Sequence, residues 1–221
     1  MQARFDDPNL VSCAGLVPVM RLAQDAGLHE LAEQHLKVPG PAGASAAAKV
    51  GSIVAGMAAG ADSIDDLDVV RHGALPRLFS GIRAPSTLGT FLRSLCHGDV
   101  RSVHAIHTRF LQNLAARTPL LPGADQLVFL DIDAKKKQVH GHQRDGARRA
   151  YTGATSLDYL MVTMTGPLFA PVVLTARLRD GAAHSCRGAA SMIREAIGLA
   201  RRCGATGLIV VRADSGFYTS A

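Results

Sequence analysis

The chain has 221 residues, with 48% hydrophobic content, 5% aromatics and no Trp. That is enough apolar material for one sizeable domain or two small ones, which excludes a disordered tail or a fibrous repeat and leaves the packing to Ala, Val, Leu and Ile. The formal charge of +6 is uneven: residues 121–221 hold 13 Lys/Arg against 8 Asp/Glu, while residues 1–120 hold 11 against 10.

Residues 10–36 show helical spacing interrupted near Pro18 and Gly27. After a Pro/Gly turn at 39–45, residues 46–59 read as a helix of small residues. Asp62, Asp65, Asp66 and Asp68 open a further short helix, where the positive end of the helix dipole favours them. Residues 85–95 predict a helix with Ser86 as its N-cap and Leu88, Phe91, Leu92 and Leu95 on one face. A longer helix follows over 100–117. The last two read either as a plain helical pair or as a helix-turn-helix offering Ser86, Thr87, Thr90 and Arg93 to DNA.

The pattern changes after Thr118-Pro-Leu-Leu-Pro-Gly123, which sets a domain boundary at 120/121. Leu127-Val-Phe-Leu-Asp-Ile-Asp133 is a strand ending on carboxylates, followed by a basic loop. Residues 159–165 and 170–178 flank Gly166-Pro167 as a hairpin. From 185 to 203 apolar residues recur every three or four positions until Gly204, predicting an amphipathic helix. A last strand, residues 207–213, runs into Asp214. The fold class is thus α+β or α/β: a helical region over 1–120, expected to bind DNA or serve assembly, then over 121–221 three strands, a helix and a strand, the opening half of a ribonuclease-H-like fold.

In that fold the first strand and the strand after the helix run parallel, about 4.8 Å apart, so acids at their ends share a site. Asp131 and Asp133 have the same parity and face one side. Asp133, nearer the strand end, is the chosen partner of Asp214, with Asp131 left open as the alternative. Either aspartate alone could simply cap a turn. Paired, they suit Mg²⁺ or Mn²⁺, which take carboxylate and phosphate oxygens. Lys135, Lys136, Lys137, Arg144, Arg148 and Arg149 face only Asp145 in their segment and suit a polyanion. His140 and His142 have Zn²⁺ spacing but lack a third ligand nearby, and Ser185, Cys186 and Ser215 lack a base partner.

Cys13, Cys96, Cys186 and Cys203 form no C-x-x-C pair, and a helix between the last two would hold them about 25 Å apart. A reduced, cytoplasmic protein is expected, without a signal peptide or membrane span.

Four motifs then carry a resemblance: Asp131-Ile-Asp-Ala134, His140-Gly-His-Gln-Arg-Asp-Gly-Ala147, the run from Arg177 to Ala190, and Arg212-Ala-Asp-Ser-Gly-Phe217. With Phe5-Asp-Asp-Pro-Asn-Leu-Val-Ser12, the run from Ala58 to Asp66 and the run from Gly81 to Gly89, the chain resembles DDE transposases of bacterial insertion sequences almost end to end. The resemblance implies DNA cleavage and strand transfer, with Asp133 and Asp214 as the first two metal-binding acids and DNA as partner, in a possible homo-oligomer. It also implies a third acid, a glutamate well downstream of the second aspartate, and none follows Asp214 here. Ala134 and Lys135 stand where the family has Ser or Thr, and residues 148–156 are rewritten. A C-terminally truncated copy with little activity alone is the expectation, with a non-catalytic DNA-binding remnant as the alternative and a metal-dependent nuclease as a more distant one.

Overall fold

The computed structural model describes residue 7 and residues 9–140, 146–149 and 153–218, in two compact units, Met1–Leu114 and Ala115–Ala221.

The first unit is helical. It contains α1 (Leu16–Asp25), α2 (Leu28–His35), α3 (Ala46–Ala58), α4 (Leu75–Leu78), α5 (Pro85–Ser94) and most of α6 (His97–Arg117), with a 3-10 turn at Asp65–Arg71. Pro18 falls in the first turn of α1, where its missing N–H costs no bond, so the break comes at Gly27, which takes φ 85° as the N-cap of α2. Leu31, Ala32, Leu36, Ala46, Ala47, Phe91 and Ile106 form one apolar cluster. The small residues of α3 matter for closeness: a Cβ on Gly56 would lie 2.4 Å from Leu67 Cδ2. The expected Ser86 cap of α5 is corrected. Ala84 is the N-cap and Pro85 the first helical residue, a position proline's fixed φ favours. Ser86, Thr87, Thr90 and Arg93 are exposed, although the Thr90 hydroxyl donates back to Ser86 O at 2.9 Å.

The second unit is a mixed sheet with one helix packed on it. Its strands are β1 (Leu127–Gln138), β2 (Arg148–Arg149), β3 (Thr155–Gly166), β4 (Phe169–Arg179) and β5 (Leu208–Ala213), and its helix is α7 (Ala189–Arg202). β1 lies between β3, antiparallel to it, and β5, parallel to it; β2 and β4 both pair with β3. The expected order of hairpin, helix and parallel return strand is therefore present, and the fold is mixed α and β. The hairpin closes tightly because Gly166 faces Phe169, whose ring would lie 2.2 Å from any Cβ there.

Alternation decides which sheet face is covered. Val128, Leu130 and Ile132 on β1, Leu160, Val162 and Met164 on β3, and Leu174 on β4 are buried. Met192, Ala196, Leu199 and Ala200 of α7 are buried as well, and the helix packs across β4, β3 and β1. At about 1.5–3 kcal/mol for each large side chain, this face is the main source of the unit's stability. The opposite face, with Phe129, Asp131 and Asp133, is only partly buried.

One expectation about β1 is overturned. The lysines do not stand in a loop: pairing with β3 continues from Asp133↔Met161 to Gln138↔Ser156, so Lys135, Lys136 and Lys137 are strand residues. What ends near Asp133 is the parallel pairing with β5, whose last partners are Ile132 and Ala213. None of the four cysteines is in a disulfide. Among the described residues no helix is long and apolar enough to cross a membrane.

Candidate active site

The site grows from the parallel pairing of β1 with β5. Asp131 is level with Arg212 and Ile132 with Ala213. Asp133 and Asp214 are the next residues beyond that last paired rung. Pairing aligns side chains on neighbouring strands, so Asp131 and Arg212 share the sheet face not covered by α7, and alternation along β1 adds Asp133 to it.

Asp131 is occupied. Arg212 Nε and Nη2 donate to its two oxygens at 2.6 and 2.8 Å, and Thr165 Oγ1 donates to it at 3.3 Å. The guanidinium also lies 4.3 Å over the Phe129 ring. This fork-on-carboxylate geometry is the strong form of ion pair. It holds the Asp131 carboxyl below its ordinary pKa, chiefly through the Arg212 hydrogen bond, against a smaller upward push from burial. The same bond raises Arg212.

Asp133 differs. Its contact is Lys135 Nζ at 3.7 Å, with the two side chains 48% and 60% exposed. An exposed pair at that distance is weak, and leaves the carboxylate accessible to a ligand. Asp214 follows β5 and uses Oδ1 to accept the Gly216 N–H at 2.8 Å, capping the 3-10 turn Ser215–Phe217. The bland role of turn cap is thus real for Asp214, and it fixes the carboxylate beside the strand end.

The basic residues do not act as one patch. Lys135 and Lys137 are exposed on the open face, whereas Lys136 points to the α7 face and donates to Asp158 at 3.3 Å and Gly181 O at 3.0 Å. Arg148 pairs with Asp180 at 2.6 Å, and Arg149 Nε donates to Gly153 O at 3.1 Å; both remain exposed. Arg144 and His142 lie outside the described residues. His140 is exposed at the end of β1.

Two groups escaped the reading of the sequence. Arg212 shares parity with Asp214, a visible signal, but its partner Asp131 emerges only from the strand register. Asp158 carried no signal at all: it is 2% exposed, and two cations converge on it.

Oxygen donors in register suit a hard divalent cation, which needs only one or two protein carboxylates when waters and phosphate oxygens complete its shell. Among the described residues no group of three His, Cys, Asp or Glu could hold a metal ion. A carboxylate donor set such as that of Asp133 and Asp214 suits Mg²⁺ or Mn²⁺. It is a poor fit for Zn²⁺, which wants nitrogen or sulfur ligands.

A family model described as "Transposase DDE domain group 1" matches residues 1–221. No curated protein and no solved structure matches the chain.

Proposed function

The chain belongs to the group 1 transposase DDE family, whose members act in DNA transposition and generally use divalent metal ions, and on that premise we propose that Asp133 and Asp214 are its metal-holding acids. The observation that carries this reading is the register of β1 and β5: Asp131 is level with Arg212 and Ile132 with Ala213, and Asp133 and Asp214 are the next residue of each chain segment. Arg212 supports choosing Asp133 over Asp131, because Asp131 already holds a guanidinium through both oxygens.

A divalent ion bound there would polarise the phosphate and assist the attacking oxygen in an in-line displacement on DNA. The chain's own residues bind and orient. Lys135 and Lys137, on the same face as Asp133, would meet the phosphate backbone, with Arg148 and Arg149 further along the unit and Arg144 in the segment outside the described residues. Lys136, turned to the other face, is withdrawn from this role. An acid within β1 and another just after β5 would keep the reacting phosphate beside a fixed sheet, so little reorganisation is needed at the moment of reaction.

With two carboxylates the ion is held weakly, and this chain alone is expected to cut DNA poorly. A second reading, a DNA-holding protein without cleavage, is favoured by the absence of a three-ligand cluster among the described residues. Self-association belongs to either reading, since edge strand β5 exposes Leu208 and Val211.

Cleavage and strand transfer on a labelled DNA end with Mg²⁺ or Mn²⁺ tests the proposal. Activity abolished by Asp133→Ala and by Asp214→Ala supports the enzyme; activity untouched by both refutes the assignment. No cleavage alongside salt-sensitive DNA binding favours the second reading.

A further inference from the structure

A row of charge crosses the covered face of the sheet at one level. Lys136 on β1 pairs in register with Asp158 on β3, and Asp158 pairs with Arg179 on β4. Asp158 is 2% exposed and accepts from Lys136 Nζ at 3.3 Å and Arg179 Nε at 2.6 Å, with Arg179 Nη2 in ion-pair contact at 2.5 Å. A buried carboxylate is tolerated only when paired and hydrogen-bonded, and here both cations lie beside it.

The cations also reach beyond it to one segment of chain. Lys136 Nζ donates to Gly181 O at 3.0 Å and Ala183 O at 3.4 Å. Arg179 Nη1 donates to the carbonyls of His184, Ser185 and Arg187 at 3.2, 3.1 and 2.7 Å. Five carbonyls from a stretch with no strand or helix therefore converge on two ions. Gly181 seals the near end, where a Cβ would stand 1.8 Å from Ser156 O. At the far end Cys186 Sγ meets Phe217 O at 3.2 Å and Gly216 O at 3.6 Å. Those carbonyls belong to the turn that Asp214 caps through the Gly216 N–H.

We propose that Lys136, Asp158 and Arg179 are positioning residues for Asp214: they clamp residues 181–187 into a brace that supports the acid-bearing turn through Cys186. Their influence runs through backbone, from the buried ions to the carbonyls, from Cys186 to the 216–217 peptides, and from there to the Asp214 carboxylate. Arg179 is the member that cannot be replaced by another cation, since one ammonium cannot serve a carboxylate through two nitrogens and three carbonyls through a third. The brace as a mechanical unit stands on these contacts alone; its consequence for metal rests on the acid assignment proposed above.

Hydrogen–deuterium exchange by mass spectrometry on the full chain tests the brace, comparing wild type with Arg179→Lys, Cys186→Ala and the control Arg177→Met, whose parent side chain bonds Ser191 and Glu195 of α7 instead. Arg179→Lys should speed exchange in 181–187 and also in 214–217, with β1 and β3 peptides unchanged; the control should move neither. Acceleration confined to 181–187 overturns the proposal. If Arg179→Lys loosens the whole unit, Cys186→Ala decides, because it leaves the buried charges intact. Faster exchange at 214–217 alone then supports the brace, and no change there overturns it. In parallel, Mn²⁺ titration followed by electron paramagnetic resonance should weaken roughly tenfold in Arg179→Lys, the scale of lost support around metal ligands. A wild-type chain that binds no Mn²⁺, or binds it equally well as Asp133→Ala, overturns the acid assignment while the exchange result still decides the brace.

Discussion

Asp158 and Asp133 lie on paired strands of one sheet, yet the chain treats them in opposite ways. Asp158, under α7, is 2% exposed and bonded to two cations, while the Asp133 side chain, on the open face, is 48% exposed with Lys135 Nζ at 3.7 Å. The difference teaches what each face is for. Where water is excluded a charge must be matched within the protein, so the acid becomes structural. Where water remains, an acid need not be matched, and it stays available for a cation and a phosphate. Asp131 sits between the two cases, half-exposed but matched by Arg212.

The sharpest way to break this comparison is Asp158→Ala. It leaves two cations facing each other without their carboxylate and should cost about 3–5 kcal/mol in denaturant unfolding. A loss below 1 kcal/mol, on the order of an exposed ion pair, would show that the covered face does not depend on it. Leu160→Ala, on the same face and fully buried, should cost about 2–5 kcal/mol. Asp133→Ala, by contrast, should stay within about 0.5 kcal/mol of wild type. If Asp133→Ala proved the more damaging of the two, the division between faces would collapse.

DNA affinity as a function of salt sharpens the same contrast among the lysines. Lys135→Gln and Lys137→Gln should each reduce the slope of log affinity against log salt by about 0.9. Lys136→Met should lower thermal stability and leave that slope unchanged.

The smallest effect concerns acid. Asp131 titrates below its ordinary value in the folded chain, mainly because of Arg212, so its contribution to stability is complete above the unfolded carboxyl value, about 3.9. It is lost as pH falls through the lower folded value. Unfolding measured against pH should therefore show a shallower decline below about pH 4 in Asp131→Asn than in wild type. An unchanged acid limb would mean that the Arg212 contact does not persist in solution.

Much of the second unit was legible in local pattern. Gly166 marked the hairpin, the spacing from Ala189 to Ala200 marked α7, and the two apolar runs ending on acids marked the parallel pair. Ser86 misled because its type suits a cap, whereas Pro85 one residue earlier already suited the first helical turn. The lysines misled in the same manner: three cations in succession resemble a loop, but the edge of β3 was long enough to keep them in the sheet through Gln138.

What the sequence determined by itself, then, is whatever depends on neighbours in the chain: the strands, the amphipathic helix, the glycine turns and the parity that puts Asp131 and Asp133 on one face. The tertiary structure alone decided which of those two acids is taken and which is left, and that Lys136, Asp158 and Arg179 meet. Those contacts join residues 81 apart in the first case and 22 and 21 apart in the second. Their physical reason is strand register, since sliding β1 by one residue against its neighbours would turn Asp131 and Lys136 to the faces opposite those they now occupy.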